Sequence, residues 1–238
     1  MKLVFIHGSG DNRHIWRLQM EQFGKGQALA LDLPGHGERA DTFPAEVMIQ
    51  DYAQAVYRII KDELELERPI IVGHSLGGAI ALMMALEHRD ELGGLILLGT
   101  GARLRVHPTL LTEALEFPDR AQRHLVEAAV LPEHIPTFTG AILEDQGTPK
   151  AGILYRDLRA CDMFDITARL PEITVPTLIL CGHEDKLTPP KYSQFLAEKL
   201  TAVKQGAALR VIPDAGHYVM REQAENVNRA IADWLASI

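Results

Sequence analysis

Residues 70–78 read Ile70-Ile71-Val72-Gly73-His74-Ser75-Leu76-Gly77-Gly78. Three β-branched residues in succession make a short strand, and the apolar run that follows fits a helix over Leu76–Glu87. The five residues centred on Ser75 have the form G-x-S-x-G at the strand-to-helix turn. There a serine sits in strained backbone geometry with its hydroxyl lifted above the sheet, and the flanking glycines let neighbouring backbones approach closely. The unpaired N–H groups of the helix start face the point where negative charge develops when a carbonyl is attacked. With four serines and 19 glycines in 238 residues, the pattern is expected by chance only about 0.03 times. Ala79 to Leu86 is apolar around most of its circumference, so this helix is buried and holds the serine rigidly.

Outward from this turn the same alternation repeats. Leu3–Ile6, Ala28–Leu31, Pro69–Val72 and Leu95–Leu98 read as strands that are apolar throughout, as in a parallel sheet covered on both faces. His14–Phe23, Ile49–Glu65 and Leu76–Glu87 read as the helices between them, which makes βαβ units. The pattern resumes with a strand at Thr177–Cys181, a helix at Pro190–Leu200, a strand at Leu209–Ile212 and a closing amphipathic helix at Glu222–Leu235. Between Arg103 and Leu170 strand signals vanish. Apolar residues recur there at helical spacing, punctuated by Pro108, Pro118, Pro132, Pro136 and Pro149, and predict three or four short helices. The expected organisation is a core of residues 1–102 and 173–238 with a helical cap at 103–172.

A serine hydroxyl needs a base. Of ten histidines, His217 follows the last strand in Asp214-Ala215-Gly216-His217 and emerges at the same sheet edge as Ser75; His183, also after a strand, is its rival. His74 adjoins the serine in so tight a turn that its side chain points elsewhere. The base needs a carboxylate to fix its tautomer. Asp185, in Gly182-His183-Glu184-Asp185, stands after a strand at that edge, with Glu184 as competitor. The loop Gly99-Thr100-Gly101-Ala102-Arg103 offers no carboxylate. The order Ser75, Asp185, His217 is nucleophile, acid, base.

Taken together, His7-Gly8-Ser9-Gly10, Asp32-Leu33-Pro34-Gly35-His36-Gly37, Gly73-His74-Ser75-Leu76-Gly77-Gly78, Gly182…Asp185…Pro189 and Gly216-His217 resemble the α/β-hydrolase superfamily over essentially the whole chain. The closest likeness is to small capped serine esterases, enol-lactone hydrolases and C–C hydrolases. The resemblance implies Ser75 as nucleophile, Asp185 as acid, His217 as base, and an oxyanion hole from the N–H groups of Leu76 and Ser9, with Gly10 as the alternative to Ser9. It implies a serine hydrolase that cleaves a small or medium carboxylic ester through an acyl-enzyme, without cofactor or metal. The alternatives are a C–C or enol-lactone hydrolase or a cofactor-free perhydrolase with the same triad, or a ligand receptor that kept the fold. The first strand begins at residue 3, which leaves no room for the family's leading hairpin. A trimmed, all-parallel sheet of about six strands follows, with the first strand at an exposed edge that would be a dimer contact or helix-covered; the state is monomer or homodimer.

The substrate pocket is expected from Ile15 and Trp16 beside the oxyanion loop and from Leu110, Phe138 and Phe164 of the cap. Arg103, Arg105 and Arg159 could hold a substrate carboxylate, as a lactone or dienoate hydrolase would require, but each is read first as solvated surface. The composition (47% hydrophobic, 24% charged) is globular, and the net charge of −8 repels nucleic acid and anionic bilayers. The N-terminus has only four apolar residues in a row and the longest apolar stretch is far below about 20 residues, so neither a signal peptide nor a membrane span is expected. Two cysteines, Cys161 and Cys181, make no disulfide framework, and a cytoplasmic location is the expectation.

Overall fold

The computed structural model describes residues 1–150, 152–204 and 206–238. Six strands, β1 (Leu3–Ile6), β2 (Ala28–Leu31), β3 (Ile70–His74), β4 (Gly94–Leu98), β5 (Thr177–Gly182) and β6 (Ala208–Ile212), form one sheet in the order β2-β1-β3-β4-β5-β6. Every neighbouring pair is parallel, with Leu3 opposite both Ala28 and Ile70, and Gly73 opposite both Ile6 and Leu97. The expected edge is corrected here. β1 is bonded on both sides, and β2 and β6 are the edges. The chain crosses from β1 outward to β2 and returns past β1 to β3, so the strand that begins the chain ends up inside the sheet.

Side chains alternate between faces along a strand, and the core divides accordingly. Val4, Ile6, Ile71, Leu95, Leu97 and Ile179 meet α2 (Ile49–Arg58), α3 (Leu76–Glu87) and α8 (Pro190–Lys199) through Tyr52, Val56, Ile80, Leu82 and Leu196. Leu3, Phe5, Ile70, Val72, Ile96 and Leu98 pack on the other face against Trp16, before α1 (Arg17–Gln27), and against Val227, Ile231 and Trp234 of the closing helix α9 (Ala224–Leu235). With both faces covered, the strands have no use for polar alternation. That is why they read as unbroken apolar runs.

Four α-helices among the described residues connect β4 to β5: α4 (Pro108–Glu116), α5 (Pro118–Ala129), α6 (Ile135–Gln146) and α7 (Ile153–Met163). The outgoing and returning chains are stitched by a bridge between Arg103 and Asp165 and by the Ile166 N–H on the Ala102 carbonyl at 2.9 Å. These helices share the core. Val126, Ala129 and Ile142 join one side of it, and Ala160, Cys161 and Phe164 the other. Ala114, Ala121, Leu154 and Leu158 make a small third cluster among α4, α5 and α7. The helices therefore straddle the sheet's carboxyl edge, where an open parallel sheet places its ligand crevice.

Candidate active site

Ser75 stands between β3 and α3 at φ 53°, ψ −114°, a conformation that costs a non-glycine residue about 1–3 kcal/mol. The surroundings enforce it. The Ser75 N–H donates to the Leu98 carbonyl of β4 at 3.0 Å, and its carbonyl accepts from Gly78 and Ala79 N–H at 2.9 and 3.1 Å and from Thr100 Oγ1 at 2.9 Å. The motif glycines are steric necessities: a Cβ at Gly73 would lie 2.2 Å from the Gly77 carbonyl oxygen, and one at Gly77 2.3 Å from that of Ile6.

β5 delivers Asp185 and the turn after β6 delivers His217. Their side chains are buried, and His217 Nδ1 lies 2.8 Å from Asp185 Oδ2. Asp185 Oδ1 accepts the N–H groups of Leu187 and Thr188 at 2.9 and 2.8 Å, and Oδ2 accepts Thr188 Oγ1 at 2.8 Å. Burial alone would raise the Asp185 pKa, but the His217 charge and these bonds outweigh it and hold the carboxylate below its ordinary range. An imidazole nitrogen facing a carboxylate carries the proton, so Nε2 of His217 is the bare, basic one. The His217 N–H donates to the Ala129 carbonyl at 2.6 Å, and its carbonyl accepts from His74 Nε2 at 3.0 Å. His74 thus points away from Ser75 and braces the loop of His217. Its pKa is held well below the usual value by burial and the neighbouring His217. Ser75 and His217 border one cavity without a hydrogen bond between them; such contacts are often long at rest and close on substrate.

The rival side chains lie elsewhere. His183 is exposed and pairs with Glu184 at 2.8 Å, and Glu184 also accepts the Ala215 N–H at 3.2 Å. Near Ser75, the N–H groups of Leu76 and Ser9 have no acceptor among the described residues, whereas the Gly10 N–H is bonded to Asp157 Oδ2 at 3.0 Å.

The cavity over Ser75 measures about 270 Å³. Polar Ser9, Asp11, His74, Ser75, His217 and Tyr218 line it together with apolar walls that include Leu104, Val106, Leu110, Leu125, Leu158 and Leu187; Arg105, read from the sequence as surface, lines it as well. Of the five expected pocket residues, Leu110 lies here. Ile15 and Trp16 are instead buried beneath the sheet, with Trp16 against Phe5 at 5.0 Å between ring centres and edge-on to His74 at 6.4 Å. Phe138 packs beside His134 on that same core, and Phe164 belongs to the core on the opposite face. An apolar residue at helical spacing reports a buried face without saying what covers it. Asp11, Thr188 and Tyr218 went unnoticed in the sequence. Asp11 is buried, accepts from Gln146 Nε2 at 2.7 Å and Tyr218 OH at 3.2 Å, and is pushed up to about 6 by burial. Its only sequence signal was its place one residue after Gly8-Ser9-Gly10.

Among the described residues no cluster of three or more His, Cys, Asp or Glu is arranged to hold a metal ion, and no helix is long and apolar enough to cross a membrane. A profile of the alpha/beta hydrolase family matches residues 3–230. A pimeloyl-[acyl-carrier protein] methyl ester esterase of Neisseria meningitidis is 30% identical over 254 residues, covering 100% of this chain and 77% of the relative. A solved thermophilic esterase is 31% identical with a TM-score of 0.80, covering 99% of this chain and 90% of its own. The enol-lactonase of Burkholderia xenovorans, 21% identical, shares the fold at a TM-score of 0.88 over 99% of this chain and 91% of its own. With the profile spanning nearly all of its length, this chain belongs to the alpha/beta hydrolase family.

Proposed function

We propose that the protein is a serine carboxylic ester hydrolase in which Ser75 is the nucleophile, His217 the general base and acid, and Asp185 the group that orients and stabilises the imidazolium. The observation that carries this reading is the His217–Asp185 pair at 2.8 Å, with His217 lining the same cavity as the strained Ser75. Ser75 Oγ attacks the ester carbonyl carbon while His217 Nε2 takes its proton. The carbonyl oxygen becomes an oxyanion held by the Ser9 and Leu76 N–H groups. The tetrahedral intermediate collapses, the C–O bond to the alcohol breaks, and His217 returns the proton to the leaving alkoxide. Water then attacks the acyl-serine with His217 again as base and releases the acid and free Ser75.

The apolar walls suit a small or medium acyl chain, and the Neisseria relative is likewise named for cleaving a carboxylic ester, a methyl ester. The helices over Ser75, residues 103–172, serve as the cap that shapes this pocket. The protein acts as a monomer or homodimer, free of nucleic acid, and works in the cytoplasm. Rapid mixing with p-nitrophenyl butyrate tests the reading: a nitrophenolate burst of one equivalent, abolished in Ser75→Ala, and fluorophosphonate labelling of Ser75 are expected. Absence of both burst and label overturns it.

A further inference from the structure

Helix α7 presents Leu154, Asp157, Leu158 and Cys161 at helical spacing along one face. This face runs directly behind the loop that follows β1. Leu158 and Cys161 reach the catalytic cavity, Cys161 Sγ lies 3.7 Å from Ser9 Oγ, and Asp157 Oδ2 takes the Gly10 N–H at 3.0 Å. Asp157 is completely buried. Its carboxylate collects two more donors: His36 Nε2 on Oδ2 at 2.8 Å and Tyr52 OH on Oδ1 at 2.5 Å. The other nitrogen of His36, Nδ1, faces the Pro34 carbonyl at 3.2 Å, so both ring nitrogens meet acceptors, an arrangement that favours the protonated ring. Burial alone would neutralise both partners, but each raises or lowers the other's pKa toward the charged form. The neighbouring Arg156 clamps the loop after β2 through Asp41, with two contacts of 2.9 Å, and through the Pro34 carbonyl at 3.3 Å.

Three donors from three separate segments therefore converge on one carboxylate, and one of them is the backbone of the oxyanion loop. Because the Gly10 N–H is engaged there, the Ser9 N–H is the one left to face the attacked carbonyl. We propose that Asp157 is a positioning residue for the oxyanion hole, which from α7 braces the Gly8–Gly10 loop through Gly10, with His36 and Tyr52 fixing the carboxylate in turn. The inference rests on the reading of Ser75 as nucleophile. It also makes α7 a fixed wall of the site and not a moving flap, since lifting it would strip a buried carboxylate of all three donors at once.

Asp157→Asn tests this, because an amide brings two N–H groups of its own into a set that already has three donors and no other acceptor. A shift of about 1 Å in a catalytic group costs about 10²-fold. In the full-length protein, kcat on p-nitrophenyl butyrate per fluorophosphonate-titrated site is expected to fall about 10²-fold with KM nearly unchanged. The Ki of an alkyl trifluoromethyl ketone, whose adduct places an oxyanion in the same hole, is expected to rise in proportion. A purely structural role would lower the melting temperature and the number of titrated sites while leaving kcat per site and Ki alone. A fall of less than tenfold in kcat per site, or a fall without a matching rise in Ki, overturns the proposal. If Asp157→Asn does not fold, His36→Leu and Tyr52→Phe carry the test, since each strips one bond from Asp157. A several-fold loss of kcat at constant KM is then expected, and unchanged kcat in both overturns it. Failure of the wild type to be titrated at all would instead sink the assignment of Ser75.

Discussion

Replacing Asp185 by asparagine isolates what the carboxylate contributes, because the structure dictates how the amide must sit. Oδ1 of Asp185 accepts two backbone N–H groups, from Leu187 and Thr188, and only the amide oxygen can take that place. The NH2 group is thereby forced into the position of Oδ2, which lies 2.8 Å from His217 Nδ1 and 2.8 Å from Thr188 Oγ1. Thr188 adapts by turning its hydroxyl to accept. His217 Nδ1 keeps a second partner in Thr188 Oγ1 at 3.1 Å, but an NH2 group at 2.8 Å disfavours a proton on Nδ1 and shifts hydrogen toward Nε2, the nitrogen that has to receive the serine proton. The wrong tautomer costs about 10⁴-fold in kcat, or about 5.5 kcal/mol of barrier. Ground-state contacts to the ester are untouched, so KM should stay within about threefold. The shape and the two N–H bonds survive, so the melting temperature should move by only a few degrees. The assay is steady-state hydrolysis of p-nitrophenyl butyrate, normalised to fluorophosphonate-reactive sites. Glu184→Gln is the control, because Glu184 bonds to His183 and the Ala215 N–H, away from the cavity, and its activity should remain within about twofold. An Asp185→Asn enzyme retaining more than a tenth of wild-type kcat would refute the tautomer reasoning and move the acid to another carboxyl.

Gly77→Ala should destabilise the fold rather than tune the chemistry, since its Cβ would lie 2.3 Å from the Ile6 carbonyl oxygen and 2.7 Å from that of His7; a loss of about 3 kcal/mol or more in denaturant unfolding is expected, and a wild-type midpoint would contradict the packing described. Leu158→Phe narrows the cavity, so kcat/KM for p-nitrophenyl octanoate should fall by about tenfold or more while the acetate stays within about twofold; equal effects on both would place the acyl chain elsewhere. Asp11 is pushed up to about 6 by burial, so its folded-state pKa exceeds the unfolded one. Its contribution to stability is complete below pH 3.8 and is lost as pH rises through about 6. Asp11→Asn should therefore gain on the wild type between pH 4 and pH 7, by at most about 3 kcal/mol, and a pH-independent difference in unfolding free energy would contradict this.

What the sequence disclosed and what it withheld differ in kind. The strands were legible because burial on both faces leaves no polar positions, as in Leu3–Ile6, whose four residues are all buried. Ser75, Asp185 and His217 stood out as candidates because each follows the end of a parallel strand, and strand order alone brings those ends together. The place of β1 inside the sheet was not, because it depends on the direction of each crossover, which no local residue encodes. Nor was the pocket. Phe138, Phe164 and Leu110 follow the same helical periodicity, yet the first two pack into cores on opposite faces of the sheet and only Leu110 reaches the cavity. Asp157 is the sharpest case. A lone acidic residue in a helix such as Tyr155-Arg156-Asp157-Leu158 reads as solvent-facing, and its burial becomes intelligible only once His36, Tyr52 and the Gly10 N–H, between 105 and 147 residues away in sequence, are seen to converge on it. A buried charge is tolerated only when its partners are complete, so a carboxylate so satisfied, with one partner in the loop that carries Ser9, ties the construction of the fold to the geometry of the proposed reaction.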